Sequence, residues 1–501
     1  MIFIQYLWYF LRKSSYDHET FRMNDSQLTN AFSNGKDSPK YFQSRAKKDD
    51  FLLRNQSKLT KMVIEIQQPL SPKLAQIYAQ MAELHEKSDF TAMTQEMTKL
   101  FSYALDNFVD YDKNFEDFGM YTIIFDCLTK KMPISLRKAT IAFLSNVFQN
   151  PNTIILSNMF NNGIIQILSS ILYENIESLQ YPVLQCVINI SADSQIYRDE
   201  VLKLFKLDAL RFLMCNSNKK IAKSAARLVA AFCQFPLDTK SLESILNFFI
   251  DVFLEVSREL LPTLVNVMIS FVNSNEACQL FVSKSEESSN TILKVFESLL
   301  SEPNPQTVIN TLIFVDKLAE GYKNIVDFDY LKILMLIQTD NDKISYYAIR
   351  VISNAIVLNP QISQLVIDNN FMPQILEVYS NGSGNSRIET VFLMTNLVRQ
   401  SNQQIFDLLC KNYQLVTIFV DALNVEEQEL VDSIICALTK MMQSEISNPT
   451  QKKIRDQFYG ASGNEVIEML INSENNAISQ QAYAFHSLVL EERKPFEFVL
   501  S

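Results

Sequence analysis

The chain has 501 residues, a formal net charge of −11, 47% hydrophobic residues, 8 glycines and a single tryptophan. Average usage would place about 35 glycines in such a length, and phosphate-cradling loops, dinucleotide turns and tight hairpins all depend on them. No GxGxxG, GxxxxGKS/T or GxSxG run occurs, so the composition argues against a nucleotide-binding α/β enzyme or an all-β sandwich and suits a helix-rich chain.

Residues 1–22 form an apolar leader. Its first run, MIFIQYLWYFLR, is too short to span a bilayer, its basic residues follow the apolar stretch, and no small-residue cleavage site comes after it. The expectation is that translation starts at Met23 and that the leader is an extension of the gene model. Residues 23–62 form a basic arm, since residues 1–62 hold 11 Lys and Arg against 6 Asp and Glu. The balance of the chain carries a net charge of −16. That argues against general nucleic-acid binding by the body and suits a body that captures basic ligands. After a linker at 63–71, residues 72–492 read as helical repeats and 493–501 as a tail. No later stretch holds twenty uninterrupted apolar residues, so no transmembrane helix is expected.

The seven cysteines, Cys127, Cys186, Cys215, Cys233, Cys278, Cys410 and Cys436, form no CxxC pair and mostly sit in apolar runs. They read as free thiols of a reducing compartment, with no disulfide framework and no zinc site. His18, His85 and His486 are too dispersed for a ligand cluster, and no nucleophile–base pair accompanies them, so no enzyme chemistry and no cofactor is expected.

Within 72–492 the segments LSNVF, VINIS, LVAAFC, ISNAI and MTNLV align at Asn146, Asn189, Ala231, Asn354 and Asn396. Two weaker copies, MISFV and VDKLA, align at Phe271 and Lys317. In chain order the steps between anchors are 43, 42, 40, 46, 37 and 42 residues, the length of an armadillo or HEAT unit of two or three helices. If one face of each anchor helix packs inward, the positions three and two before the anchor and one after it should be apolar. Every copy satisfies this, from Phe143, Leu144 and Val147 to Met268, Ile269 and Val272 and on to Leu393, Met394 and Leu397. Pro133, Pro151, Pro236, Pro360 and Pro373 are expected between helices, and GSGNS at Gly382–Ser386 as a flexible inter-helix loop. The expected fold is an all-α armadillo-repeat, right-handed superhelical solenoid with a basic N-terminal arm, its anchor helices lining a long concave surface.

The residues around the anchors are more specific than the period. NISADSQIYRDEVL (Asn189–Leu202) resembles the third armadillo repeat of the importin-α family. YYAIRVISNAIVLNPQISQLVIDNNFMPQIL (Tyr346–Leu376) resembles its seventh, RIETVFLMTN (Arg387–Asn396) its eighth and IEMLINSENNAISQQAYAF (Ile467–Phe485) its last. In the arm, NGKDS (Asn34–Ser38) followed by RAKKDDFLLRNQS (Arg45–Ser57) is similar to the family's importin-β-binding domain. The likeness runs from about residue 28 to 492 and is weak around Phe271 and Lys317.

That resemblance implies a nuclear import adaptor that binds nuclear-localisation-signal cargo in its groove, joins importin-β through the arm and shuttles between cytoplasm and nucleus. An importin-α export receptor and nuclear pore components are the further partners it implies. In the family a ladder of Asn side chains pairs with the backbone of an extended peptide. Trp residues four positions earlier form slots for basic side chains, and carboxylates take the charge. Carried over to this chain, the rungs are Asn146, Asn189, Asn354 and Asn396, the carboxylates are Asp193 and Glu389, and Phe392 is a slot wall. The arm residues are Lys36, Arg45, Lys47, Lys48 and Arg54. The Trp half of the ladder is missing: the residues four before the anchors are Ala142, Gln185, Arg227, Arg350 and Phe392, and the sole tryptophan is Trp8. Ala192 replaces the family's Gly beside Asp193. Only Pro39–Ser44 separate Ser38 from Arg45, where the family carries an arginine cluster, so weak autoinhibition is expected. Two alternatives stand beside these readings: Asp193 as a cap for the following helix, and the whole chain as an armadillo scaffold outside transport.

Overall fold

Asparagine and serine cap several helices of this chain. In the computed structural model, which describes residues 72–106, 115–149, 154–253, 255–287, 291–322, 328–425, 427–443 and 448–487, Ser194 accepts from the Tyr197 amide at 3.3 Å. Asn218 accepts from Lys220 at 3.1 Å, Asn402 from Ile405 at 2.9 Å and Asn475 from Ala477 at 3.0 Å. Each satisfies an amide that the helix's first turn leaves without a partner. The leader, the linker, the tail and the arm residues Lys36, Arg45, Lys47, Lys48 and Arg54 lie outside the described residues.

The helices recur as two short ones followed by a long one. Ile154–Asn161 and Ile164–Tyr173 meet at 70° across Gly163, whose φ of +84° belongs to the left-handed region that glycine enters without strain. The corresponding turns before Met372–Asn381 and Gly463–Ile471 use Asn370 and Ser462 at φ 54° and 57°. A glycine-poor sequence therefore still makes the turn, at some conformational cost.

The last helices of the repeats, the longest in most of them, are the anchor helices. In the first of two compact units they are α1 (Phe90–Asp106), α2 (Ile134–Val147), α3 (Glu177–Asp193), α4 (Lys219–Phe232), α5 (Leu261–Phe271) and α6 (Pro305–Tyr322). In the second they are α7 (Asp342–Leu358), α8 (Gly384–Gln400), α9 (Gln428–Gln443) and α10 (Asn476–Phe485). Within each unit every anchor helix packs against the next, as nearest-neighbour stacking of helical repeats requires. The chain is an all-α armadillo-like repeat protein. Among the described residues no single helix is long and apolar enough to cross a membrane.

Of the apolar positions flanking the seven anchors, all are buried except Ile269, which is half-buried. Three anchor helices, α1, α9 and α10, lie outside the seven-copy stack. In α9 the same positions are Ile434, Ile435 and Leu438 around Ala437, and all three are buried. Phe271 ends α5 and is buried at 3% exposure, so it packs in the core instead of lying on the neighbouring stripe.

The proline and loop expectations also change. Pro133, Pro236 and Pro360 fall between helices, but Pro373 sits in the first turn of Met372–Asn381, where its missing amide costs nothing. Pro182 lies inside α3. The GSGNS segment is a two-residue turn, Gly382–Ser383, followed directly by α8. Asp342 Oδ1 accepts from the Ser383 amide at 3.2 Å and from Ser386 Oγ at 2.8 Å. A Cβ on Gly382 would come within 2.6 Å of the Val378 carbonyl oxygen. Glycine serves close approach there, and the turn is pinned.

Arg198 is the largest fully buried side chain, at 1% exposure. Its guanidinium donates to Asp199 Oδ1 at 2.7 Å and to the carbonyls of Phe232, Phe235 and Pro236, the last two at 3.0 and 2.7 Å. It thereby closes the C-terminal end of α4, whose last carbonyls have no helical partner. Arg198→Met strands those carbonyls and should cost about 3 kcal/mol. Urea unfolding of the full chain, with hydrogen exchange localised to 233–238, measures it; an unchanged midpoint contradicts the assignment.

The cysteines are unpaired among the described residues, with Cys215 and Cys436 exposed. Burial pushes the Cys127, Cys233 and Cys410 thiols up to about 12 and Cys278 to about 11, and it raises Cys186 as well. These five stay protonated, and hence unreactive, at pH 8. Iodoacetamide at that pH should label Cys215 and Cys436 of the native protein first, with the other five following on denaturation; mass spectrometry reads the order.

Candidate functional site

Anchor asparagines bridge adjacent repeats. In the first unit Asn189 Nδ2 of α3 donates to the carbonyl of Ser145 in α2 at 2.7 Å. Asn146 of α2 makes the same reach to Phe101 of α1, at a longer 3.4 Å. In the second unit Asn396 Nδ2 of α8 donates to the Ser353 carbonyl of α7 at 3.2 Å and to Ser353 Oγ at 3.1 Å. The acceptor is each time the residue just before the neighbouring anchor or, for α1, its equivalent. The dipeptides Ser145–Asn146 and Ser353–Asn354 thus supply a receptor for the next repeat followed immediately by a rung.

The amide has two ends. Asn189 and Asn396 are half-buried, and neither Oδ1 accepts a hydrogen bond among the described residues. Each rung therefore fixes its own repeat through Nδ2 and keeps an acceptor for another backbone amide. Asn146 Oδ1 meets only Gln149 Nε2, at 3.5 Å. Asn354 is exposed beside Ser353, so it lies next to Asn396.

Asp193 closes α3 one turn beyond Asn189 and is half-buried. It does not cap the following helix, because Ser194 does. Glu389 and Phe392 are half-buried in α8, seven and four residues before Asn396. The structure thus groups Asn146, Asn189 and Asp193 in the first unit, and Asn354, Glu389, Phe392 and Asn396 in the second. Among the residues four before the anchors, Arg227 is fully exposed, while Ala142, Gln185, Arg350 and Phe392 are half-buried.

One rung escaped the sequence reading. Asn310 Nδ2 of α6 donates to the Pro262 carbonyl of α5 at 2.8 Å, and its Oδ1 accepts from Gln306 Nε2 at 2.7 Å. It lies seven residues, two helical turns, before Lys317, so the signal was on the expected stripe but displaced. Lys317 instead donates to Asn273 Oδ1 at 2.9 Å. His85 pairs with Asp126 at 3.1 Å, and no metal-binding group of side chains is present among the described residues.

No protein-family model and no curated protein matches the chain. A solved engineered protein from a structural genomics consortium is similar at a TM-score of 0.63 and 15% identity, covering 82% of this chain and 98% of that one. A designed armadillo repeat protein aligns at a TM-score of 0.39 and 17% identity, over 48% of this chain and 99% of that one. The first likeness supports the fold alone, and the second carries no weight.

Asn189→Ala removes one interhelical bond and should cost about 1 kcal/mol. Asn146→Ala, whose bond is long, should cost visibly less. Chemical denaturation of the two variants compares them, and an equal or reversed order contradicts the rung geometry.

Proposed function

We propose that this armadillo-type scaffold is a nuclear import adaptor, binding an extended signal peptide of its cargo along the asparagine rungs and joining importin-β through its basic arm. The observation that carries the reading is the repeated rung of Asn189 and Asn396, held in register by Nδ2 with Oδ1 left to accept. An extended chain presents backbone amides outward at every second residue, and a row of fixed acceptors sets its register without reading its side chains. The motifs of the arm and of the third, seventh and eighth repeats supply the transport part of the reading. In this account the protein is a carrier without enzymatic activity that moves between cytoplasm and nucleus.

The missing tryptophans set the expected affinity. Each lost aromatic–cation contact forfeits about 0.5–2 kcal/mol, so three or four losses weaken a lysine-rich peptide by several decades. Calorimetry with a monopartite lysine-rich signal peptide should therefore give weak binding, reduced further in Asn189→Ala/Asn396→Ala. The full chain should be retained on immobilised importin-β and lose that retention when residues 1–62 are removed. No retention of the full chain overturns the transport reading.

A further inference from the structure

Four exposed cations on the anchor helices of the first unit, Lys138, Lys220, Lys223 and Arg227, make no close ion pair among the described residues, and three of them stand at repeat-related positions. Lys138 lies eight residues before Asn146, and Lys223 and Arg227 lie eight and four before Ala231. All three are exposed, and none makes an ion pair or hydrogen bond among the described residues. Other basic side chains of the same unit are paired with carboxylates. Arg137 binds Glu174 through two bonds of 2.7 and 2.9 Å, Arg211 meets Asp251 and Glu255, and Lys219 meets Glu259 at 2.6 Å. Lys223 also acts on Glu259, at longer range, but that carboxylate is already taken by Lys219.

Between the cations stands Tyr181, 41% exposed, eight residues before Asn189. Three bonds fix its level. Asn189 on Ser145 sets residue 181 beside 137–138 of α2. Asn218 Nδ2 on Glu177 Oε1 at 3.0 Å and Gln185 Nε2 on Ser224 Oγ at 2.9 Å set it beside 220–222 of α4, next to Lys223. Neighbouring helix axes lie about 8–10 Å apart, so Lys138, Tyr181 and Lys223 form a row roughly 16–20 Å long, the reach of about five or six extended residues. Arg227 stands about 6 Å along α4 from Lys223, toward the rungs.

Resting on the groove reading above, we infer that this row receives acidic side chains of the bound peptide, so that the ligand of the first unit is an extended segment with Asp or Glu at alternate positions. An extended chain on the rungs turns successive side chains to opposite sides. One set faces the row, where three exposed cations flank a tyrosine ring able to cover the aliphatic part of a Glu. Arg227 adds its charge to that of Lys223 one turn away, so this stretch repels a basic residue and attracts an acidic one.

The test is fluorescence anisotropy of the full chain with a labelled alternating Glu/Ser peptide, the matching Lys/Ser peptide and a single-stranded oligonucleotide. The Glu/Ser peptide should bind tightest, and added salt should weaken it. Lys223→Gln/Arg227→Gln should lower its affinity roughly tenfold, on the scale of two lost charge contacts, and Lys138→Gln should lower it less, with circular dichroism unchanged. A preference for the Lys/Ser peptide, tightest binding of the oligonucleotide, or indifference of the Glu/Ser peptide to the double variant overturns the inference. The groove reading fails separately, if Asn189→Ala leaves every peptide's affinity unchanged.

Discussion

Asn189 spends one amide hydrogen on the Ser145 carbonyl, and much of the array follows from bonds of that kind. Anchor helices in a repeat stack touch only their neighbours, so each interface must set its own axial register. Apolar packing does not do this alone. A helix sliding past its neighbour by one turn still presents an apolar face, since residues three and four apart share it. An amide that must reach a particular carbonyl permits one offset. Asn189 on Ser145 and Asn396 on Ser353 supply that constraint in the two units. Where the anchor is not asparagine, other polar ties stand in: Gln185 on Ser224, Asn310 on Pro262, Lys317 on Asn273.

Helix ends impose a second demand, met by cations. The last carbonyls of an anchor helix lack helical donors and carry the negative end of its dipole. Arg198 serves α4, and Lys440 of α9 donates to the Arg399 and Ser401 carbonyls at the end of α8, at 3.0 and 3.4 Å. Lys440 also lies 4.9 Å from the Phe406 ring centroid, and burial holds its ammonium below the usual lysine range. These basic groups belong to the framework. The distinction sorts the chain's cations into those whose donors are consumed by backbone and those, like Lys223 and Arg227, that face solvent.

The apolar half of the repeat was legible because burial follows a local period: Phe143, Leu144 and Val147 declare their face within five residues. What was less legible depends on partners far away in sequence. Nothing within GSGNS reveals that Asp342 pins it. Nothing near Asn310 reveals the Pro262 carbonyl, and the two-turn displacement hid it from a fixed-offset search. Phe271 satisfied the pattern as an anchor while belonging to the core, since a pattern of apolar neighbours cannot separate a helix's last residue from one on its outer stripe. The α9 helix keeps the same buried pattern around Ala437 as the aligned copy around Ala231, yet it stood outside the stack.

The candidate site was legible to the extent that asparagine has a single use, and here it has two. From sequence, Asn189 reads as a rung for a ligand; in the structure the same side chain ties its own repeat. The two uses are compatible because an amide carries donor and acceptor on different atoms, and the neighbouring helix's carbonyl takes the donor. A residue that is both strut and receptor constrains what can change beside it. The position four before it varies in its duty: Gln185 ties α3 to Ser224 of α4, whereas Arg227 is exposed and makes no such bond among the described residues. The exposed cations from Lys138 to Arg227 stand outside these ties, so substitutions there leave the framework's bonds in place.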